Sequence, residues 1–149
     1  MNVLGTGKDA EATTTDAWAR NQRLAPPRQL VRLCERLPLL RLLNTARAGR
    51  VCLLIGPPGY GKTTVLAQWR HQLMAEGAQV SWYSAAAAER ETSSFLRMLS
   101  RSLHVAGLDM RGSGLLESGH MTVDAALDAV ILNLERSTTP LVLIFDDYE

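Results

Sequence analysis

Leu53–Thr64 reads LLIGPPGYGKTT, three glycines and two prolines crowded between an apolar run and a helix-forming one. The pattern G-x-x-x-x-G-K-[ST] is filled by Gly56, Gly61, Lys62 and Thr63. With Gly at about 7% of residues and Lys and Ser/Thr of similar order, a chain this long matches by chance only about once in a few hundred. A polyphosphate must be held by many donors at once, and side chains alone are too bulky to surround it. Gly56, Gly59 and Gly61 permit positive φ, so the main chain can curl and aim successive N–H groups at one anion. Lys62 then places a point charge on the terminal phosphates, and the Thr63 hydroxyl is positioned for Mg²⁺. Pro57 and Pro58 stiffen the loop by fixing φ. Tyr60 either lies over a bound nucleotide or faces solvent. Thr64 follows as a further nucleotide-binding candidate, in the helix whose unpaired N–H groups and positive dipole end face the same phosphates.

Such a loop needs a strand before it and a helix after it. Val51–Ile55 is continuously apolar, as expected of a buried parallel strand, and Cys52 should pack there as a small hydrophobe. Downstream, Val65, Leu66, Trp69 and Leu73 recur at helical spacing up to Gly77, a natural stop. Residues 38–47 read as a short helix opened by Pro38, and Val80–Tyr83 as a second strand. A further helix carries Phe95, Leu96, Leu99 and Leu103, with Thr92 or Ser93 as its cap and Gly107 as its stop. Thr122 caps another, whose inner stripe is expected to be Leu127, Val130, Ile131 and Leu134. Strands alternating with helices predict an α/β fold with a parallel sheet, in which ligands bind beyond the carboxyl ends of the strands.

The stretch PLVLIFDDYE runs from five apolar residues, Leu141–Phe145, into Asp146 and Asp147. Mg²⁺ prefers hard oxygens and reaches protein through one or two carboxylates. Asp146 is the candidate metal ligand beside Thr63, the Walker B role. Asp147, one residue on, stands where a carboxylate orients or deprotonates an attacking water. The catalytic candidates are therefore Asp147 and Lys62.

The chain has 149 residues, 46% of them apolar and 21% charged, with a net charge of +1. That balance suits one domain with a real core and gives no electrostatic footprint for nucleic acid. Residues 1–22 read as a flexible leader and 23–149 as the domain, with Pro26 and Pro27 in an extended linker. Cys34 and Cys52 follow no metal or redox spacing, and His71, His104 and His120 share no ligand spacing. No apolar run reaches the length of a membrane span and none resembles a signal peptide, which points to the cytoplasm.

GPPGYGKTTVLAQWR, VSWYS, SFLRMLSRSL and LVLIFDDYE, in that order, resemble the nucleotide-binding module of the MalT-like regulators. These are large ATP-binding transcriptional activators of the LuxR family, within the signal-transduction ATPases with numerous domains (STAND). Arg36, Leu39, Leu40 and Leu43 match that family's R-x-x-L-L-x-x-L pattern, so the resemblance runs over roughly 23–149. It implies an ATP/ADP switch with Mg²⁺, slow hydrolysis in the complete protein, self-association in the ATP state, and DNA contact only through a domain outside these residues. It also implies that Leu33, Cys34 and Arg36 border the adenine, which adds Arg36 to the nucleotide-binding residues. The chain departs from the family at Ala85–Arg90, where acidic residues are frequent, and at Glu149, where histidine is common. A P-loop NTPase sheet lacking its later strands is the expected architecture, since in that family a later strand lies between the phosphate-loop strand and the Walker B strand. Poor turnover by this chain alone is the corollary. A small-molecule kinase shares the loop and the carboxylate, but MRGSGLLESGHM supplies one arginine and no acceptor constellation. An inactive nucleotide-binding remnant is the third reading.

Overall fold

The computed structural model describes residues 23–27, 34–85, 91–108, 110 and 122–147. The leader 1–22, Leu33, residues 86–90 of the alanine stretch, His120 and Glu149 lie outside them.

In chain order the elements are α1 (Leu37–Ala46), α2 (Lys62–Ala75), β1 (Gln79–Ser84), α3 (Thr92–Val105), α4 (Val123–Arg136) and β2 (Leu141–Asp146). The two strands pair in parallel, Gln79 opposite Leu141 through to Ser84 opposite Asp146, so both end together. Parallel neighbours require a crossover, and α3 and α4 lie in it.

Alternation along the strands assigns two apolar faces. Val80 and Trp82 of β1 and Ile144 of β2 join Leu40 and Leu43 of α1 and Val65, Ala67, Trp69 and Leu73 of α2 in one core. Leu141 and Leu143 face the other way, against Leu96, Leu99 and Leu103 of α3 and Ala126 and Val130 of α4. The sheet is thus sandwiched between α1/α2 and α3/α4, the layering of a parallel α/β domain. Ser81, pointing to the α3 side, is fully buried, and its hydroxyl donates to Ser102 Oγ at 2.9 Å while Ser102 donates to the Leu99 carbonyl at 2.8 Å. A buried hydroxyl on the core side of β1 is tolerable because that chain of bonds satisfies it.

Helix ends follow the expected chemistry in most places. Gly77 and Gly107 adopt φ of +85° and +93° one residue past the C-caps of α2 and α3, the left-handed conformation that glycine reaches without penalty. Thr122 caps α4 by accepting from the Ala125 amide at 3.3 Å. The N-cap of α3 is Glu91, with no side-chain cap bond, and Thr92 is already its first helical residue. In α1 the opening proline stands second, after Leu37.

Two larger expectations also fail. Val51–Ile55 is not a buried strand: it forms no ladder, and Val51, Leu53 and Ile55 are 79%, 80% and 88% exposed. Cys52 is exposed as well, while Leu54 alone packs against the α1/α2 core. A parallel strand is buried only between neighbours, and the sheet of the described residues consists of β1 and β2 alone. In α4 the inner stripe is Ala126, Val130 and Leu134, whereas Leu127 and Ile131 are exposed. One residue is a 100° rotation on a helix of 3.6 residues per turn. The helix turns its small Ala126 to α3 and leaves its larger neighbours outside.

Arg23 and Leu24 close the outer edge of β1 at its carboxyl end. The Ser84 amide donates to the Arg23 carbonyl at 2.8 Å, Arg23 Nε donates back to the Ser84 carbonyl at 3.3 Å, and Leu24 is buried against Tyr83 and Met98. Tyr83, Phe95 and Phe145 pack ring to ring beside them, with centroids 5.7 to 6.1 Å apart.

Candidate functional site

The loop from Gly56 to Gly61 turns tightly before α2. Gly59 and Gly61 have φ of +80° and +77°, as the need for a curled main chain predicts. Gly56 has no positive φ, and a Cβ there would meet only Lys62 Cδ at 4.0 Å. Its backbone geometry therefore does not require glycine. The Tyr60 amide donates to the Pro57 carbonyl at 3.4 Å and the Val65 amide to the Gly61 carbonyl at 3.0 Å, the first bond of α2. The N–H groups of Lys62, Thr63 and Thr64 precede that bond and have no partner within the helix. They face outward at its positive end.

Lys62 arches back over the loop, its ammonium donating to the Gly56 carbonyl at 2.8 Å and the Pro57 carbonyl at 3.3 Å. The ammonium is thereby held where the loop opens. The Tyr60 side chain is 67% exposed and Pro57 and Pro58 are exposed beside it.

Asp146, the last residue of β2, is 4% exposed. Its Oδ1 accepts from the Thr63 hydroxyl at 3.0 Å, which ties together residues 83 apart in sequence. Its Oδ2 is buried without a hydrogen-bond partner. Desolvation by that burial raises the Asp146 pKa above the ordinary carboxylate value; the Thr63 bond, the Asp147 amide and the Lys62 charge pull it down, and the Asp147 charge adds to the rise. An orphaned, buried carboxylate oxygen beside a hydroxyl is a donor set that suits a hard divalent cation. Among the described residues no cluster of three or more His, Cys, Asp or Glu could hold a metal by itself. A hydroxyl and one carboxylate match the small protein share that a cation such as Mg²⁺ takes when water and phosphate oxygens complete its shell. Asp147 is exposed and adopts φ of +54°, a left-handed conformation uncommon outside glycine but tolerated by Asp. That turn carries its side chain off the strand, just beyond Asp146.

Arg36 lies on the other side of the loop. Its Nη1 donates to the Tyr60 carbonyl at 2.7 Å, and its guanidinium covers Gly61, where a Cβ would meet Nη2 at 3.1 Å. Gln68, on the second turn of α2, accepts from the Arg36 amide at 3.4 Å and donates to the Cys34 carbonyl at 3.2 Å. The neighbouring Trp69 donates to Asn44 Oδ1 at 2.6 Å and so ties α2 to α1. Gln68 and Asn44 carry no motif of their own. The pair Gln68–Trp69 after the loop was the one trace of these contacts in the sequence, and it names no partner 25 or more residues away. His71 is exposed on α2, His104 is half-buried near the end of α3, and neither approaches a metal-like cluster among the described residues.

The sequence profile of the AAA ATPase domain family matches residues 30–149. The chain belongs to that family. An AAA ATPase domain is a P-loop α/β unit that binds nucleotide, in keeping with the loop, the flanking helices and the parallel strand pair found here. The HTH-type transcriptional regulator MalT of Yersinia pestis (strain Pestoides F) is 30% identical over 129 residues, which are 85% of this chain and 14% of that protein. MalT of Yersinia pseudotuberculosis serotype O:1b gives the same figures, and that of Yersinia enterocolitica serotype O:8 is 29% identical over the same length. The resemblance to MalT-like regulators read from the motifs holds, and the AAA ATPase domain described here spans about 14% of the length of these relatives. No solved structure matches it. No helix among the described residues is long and apolar enough to cross a membrane.

Proposed function

We propose that this domain is the ATP-binding switch module of a MalT-like transcriptional regulator. It binds ATP or ADP with Mg²⁺ and, in the complete protein, hydrolyses ATP slowly. The observation that carries the reading is the 3.0 Å bond between Thr63 and Asp146. It joins the end of the phosphate loop to the end of the Walker B strand, with a buried carboxylate oxygen left to spare. In this reading the amides of the loop and of the first turn of α2 cradle the phosphates and Lys62 exchanges its loop carbonyls for phosphate oxygens. Thr63 and Asp146 hold the cation, and bound Mg²⁺ supplies neutralisation of the phosphate charge. Asp147 sits one residue further out and orients or deprotonates the attacking water. Coupling to DNA and self-association belong, on this reading, to the longer protein, as does a strand that seats Val51–Ile55 in the sheet beside β2.

Titration of the chain with ATP and ADP, with and without Mg²⁺, tests this directly. Binding is expected to be weak, Mg²⁺-dependent and lost in a folded Lys62→Ala variant. Retained micromolar binding by that variant would sink the assignment. Vigorous Mg²⁺-dependent turnover by the isolated monomer would instead favour a self-sufficient metabolic enzyme.

A further inference from the structure

We infer that Arg36 is a positioning residue that acts through the phosphate loop, and that Gln68 holds it there. The inference rests on the nucleotide-binding reading and specifies how one part of that site is kept in shape.

Four contacts carry it. Arg36 Nη1 donates to the Tyr60 carbonyl at 2.7 Å, a charge-assisted bond to the main chain of the loop's last turn. The planar guanidinium lies over Gly61, close enough that a Cβ would stand 3.1 Å from Nη2. Gly61 is also the N-cap of α2 at φ +77°, so the peptide units whose orientation decides where the Lys62 and Thr63 amides point are the ones Arg36 covers. On the other side, the Gln68 side-chain amide bonds both the Arg36 amide and the Cys34 carbonyl. Gln68 lies on α2 itself, so the clasp is closed: helix to Gln68, Gln68 to the Arg36 backbone, Arg36 side chain to the loop, loop to helix.

The physical consequence is preorganisation. A loop with two left-handed glycines has many conformations open to it, and only one converges its amides on an anion. Fixing that conformation before ligand arrives removes an ordering cost from binding. A fork with one nitrogen bonded to a loop carbonyl and the other packed beside the glycine does this, whereas a lysine ammonium can hold the carbonyl but cannot cover the glycine. Because the arginine acts on the phosphate cradle, it affects every ligand with the same polyphosphate, whatever base is attached.

The test compares ATP, GTP and inorganic tripolyphosphate, each with Mg²⁺, for the wild-type chain and for Arg36→Ala, Arg36→Lys and Gln68→Ala, well below the unfolding temperature of each. Arg36→Ala is expected to weaken all three ligands by a common factor, on the order of tenfold, the scale of one hydrogen bond from a charged group. Gln68→Ala should show a smaller common loss and Arg36→Lys only partial recovery. In the ligand-free protein the Gly61 amide resonance should move in Arg36→Ala and Gln68→Ala while the resonances of α3 stay in place, a change that a general loss of stability does not produce. Weakened nucleotide binding with unchanged tripolyphosphate binding would show instead that Arg36 contacts the base. Full recovery by lysine would show plain attraction of phosphate, and unaltered affinity for all three ligands would show no role; each overturns the inference. If Arg36→Ala does not fold, Gln68→Ala decides by the same comparison. A wild-type chain that binds none of the ligands removes the nucleotide-binding reading itself, an outcome distinct from these.

Discussion

Three glycines with nearly the same backbone angle allow the cost of a left-handed residue to be separated from the cost of crowding. Gly59, Gly61 and Gly77 have φ of +80°, +77° and +85°. A Cβ at Gly59 or Gly77 meets nothing within 4 Å, but at Gly61 it meets the Arg36 guanidinium at 3.1 Å from Nη2 and 3.4 Å from Cζ. Replacing any of the three by alanine forces an L-residue into the left-handed region, at roughly 1–2 kcal/mol. Gly61→Ala also displaces Arg36 from the Tyr60 carbonyl, whose bond in this exposed setting contributes about 1 kcal/mol. With about 2–4 °C of melting temperature per kcal/mol for a chain near this length, Gly59→Ala and Gly77→Ala should each lower the midpoint by about 2–8 °C. Gly61→Ala should lose a further few degrees. Calorimetry or thermal circular dichroism of the ligand-free variants reads this. The decisive comparison is a double-mutant cycle: in an Arg36→Ala background the extra loss at Gly61 should disappear, since neighbours that share a contact are not additive. Equal losses at all three glycines, or an excess at Gly61 that survives removal of Arg36, would refute the reasoning.

Asp146→Asn should weaken Mg²⁺-nucleotide more than metal-free nucleotide, as isothermal titration with and without the cation will show. Because burial raises the native Asp146 pKa, the native state holds its proton at higher pH than the unfolded chain does. This contribution to ligand-free stability is therefore greatest below 3.8, the ordinary carboxylate value, and falls as pH rises through the raised native one. Asn at 146 should flatten that slope and melt no lower than wild type at neutral pH in a pH series of melting curves. Asp147→Asn should leave nucleotide affinity nearly unchanged and reduce turnover in the complete protein; equal loss of Mg²⁺-dependent binding in both variants contradicts the division of roles. Thr122→Ala removes a side-chain cap and should cost about 1 kcal/mol, whereas Thr92→Ala, at a position that makes no cap bond, should be close to neutral in the same denaturation assay.

What could be read from the sequence was whatever a local rule governs. Loop, helix and strand around Lys62 and Asp146 are encoded by residue types at fixed spacing, and both aspartate-bearing β2 and the Trp82 strand lie within a residue of where alternation and β-propensity put them. Local rules fail where a neighbour decides. Val51–Ile55 has the composition of a buried strand, yet burial needs a flanking ladder and composition cannot supply one. The stripe of α4 went wrong for a related reason. Leu127 and Ala126 fit the helical period equally well, and only the packed neighbour distinguishes them: Ala126 is the one buried. Within the candidate site, Thr63 and Asp146 could be paired from sequence because a hard cation would call for a hydroxyl and a carboxylate together, and the structure brings the two side chains within 3.0 Å. The Arg36–Gln68 clasp was not, because a side-chain amide bonding main chain 32 and 34 residues away leaves no periodic mark.

The exposed Val51–Ile55 segment gives the molecule a built-in chemical clock. Cys52 is the segment's second residue, free and exposed, and Cys34, also free and exposed, lies outside it. A maleimide or iodoacetamide therefore modifies both. If a partner strand or a longer version of the chain clamps the segment into a sheet, Cys52 alone should slow, with Cys34 as the internal standard. Sheet completion can thus be followed by mass spectrometry on unmutated protein, as a ratio of two alkylation rates.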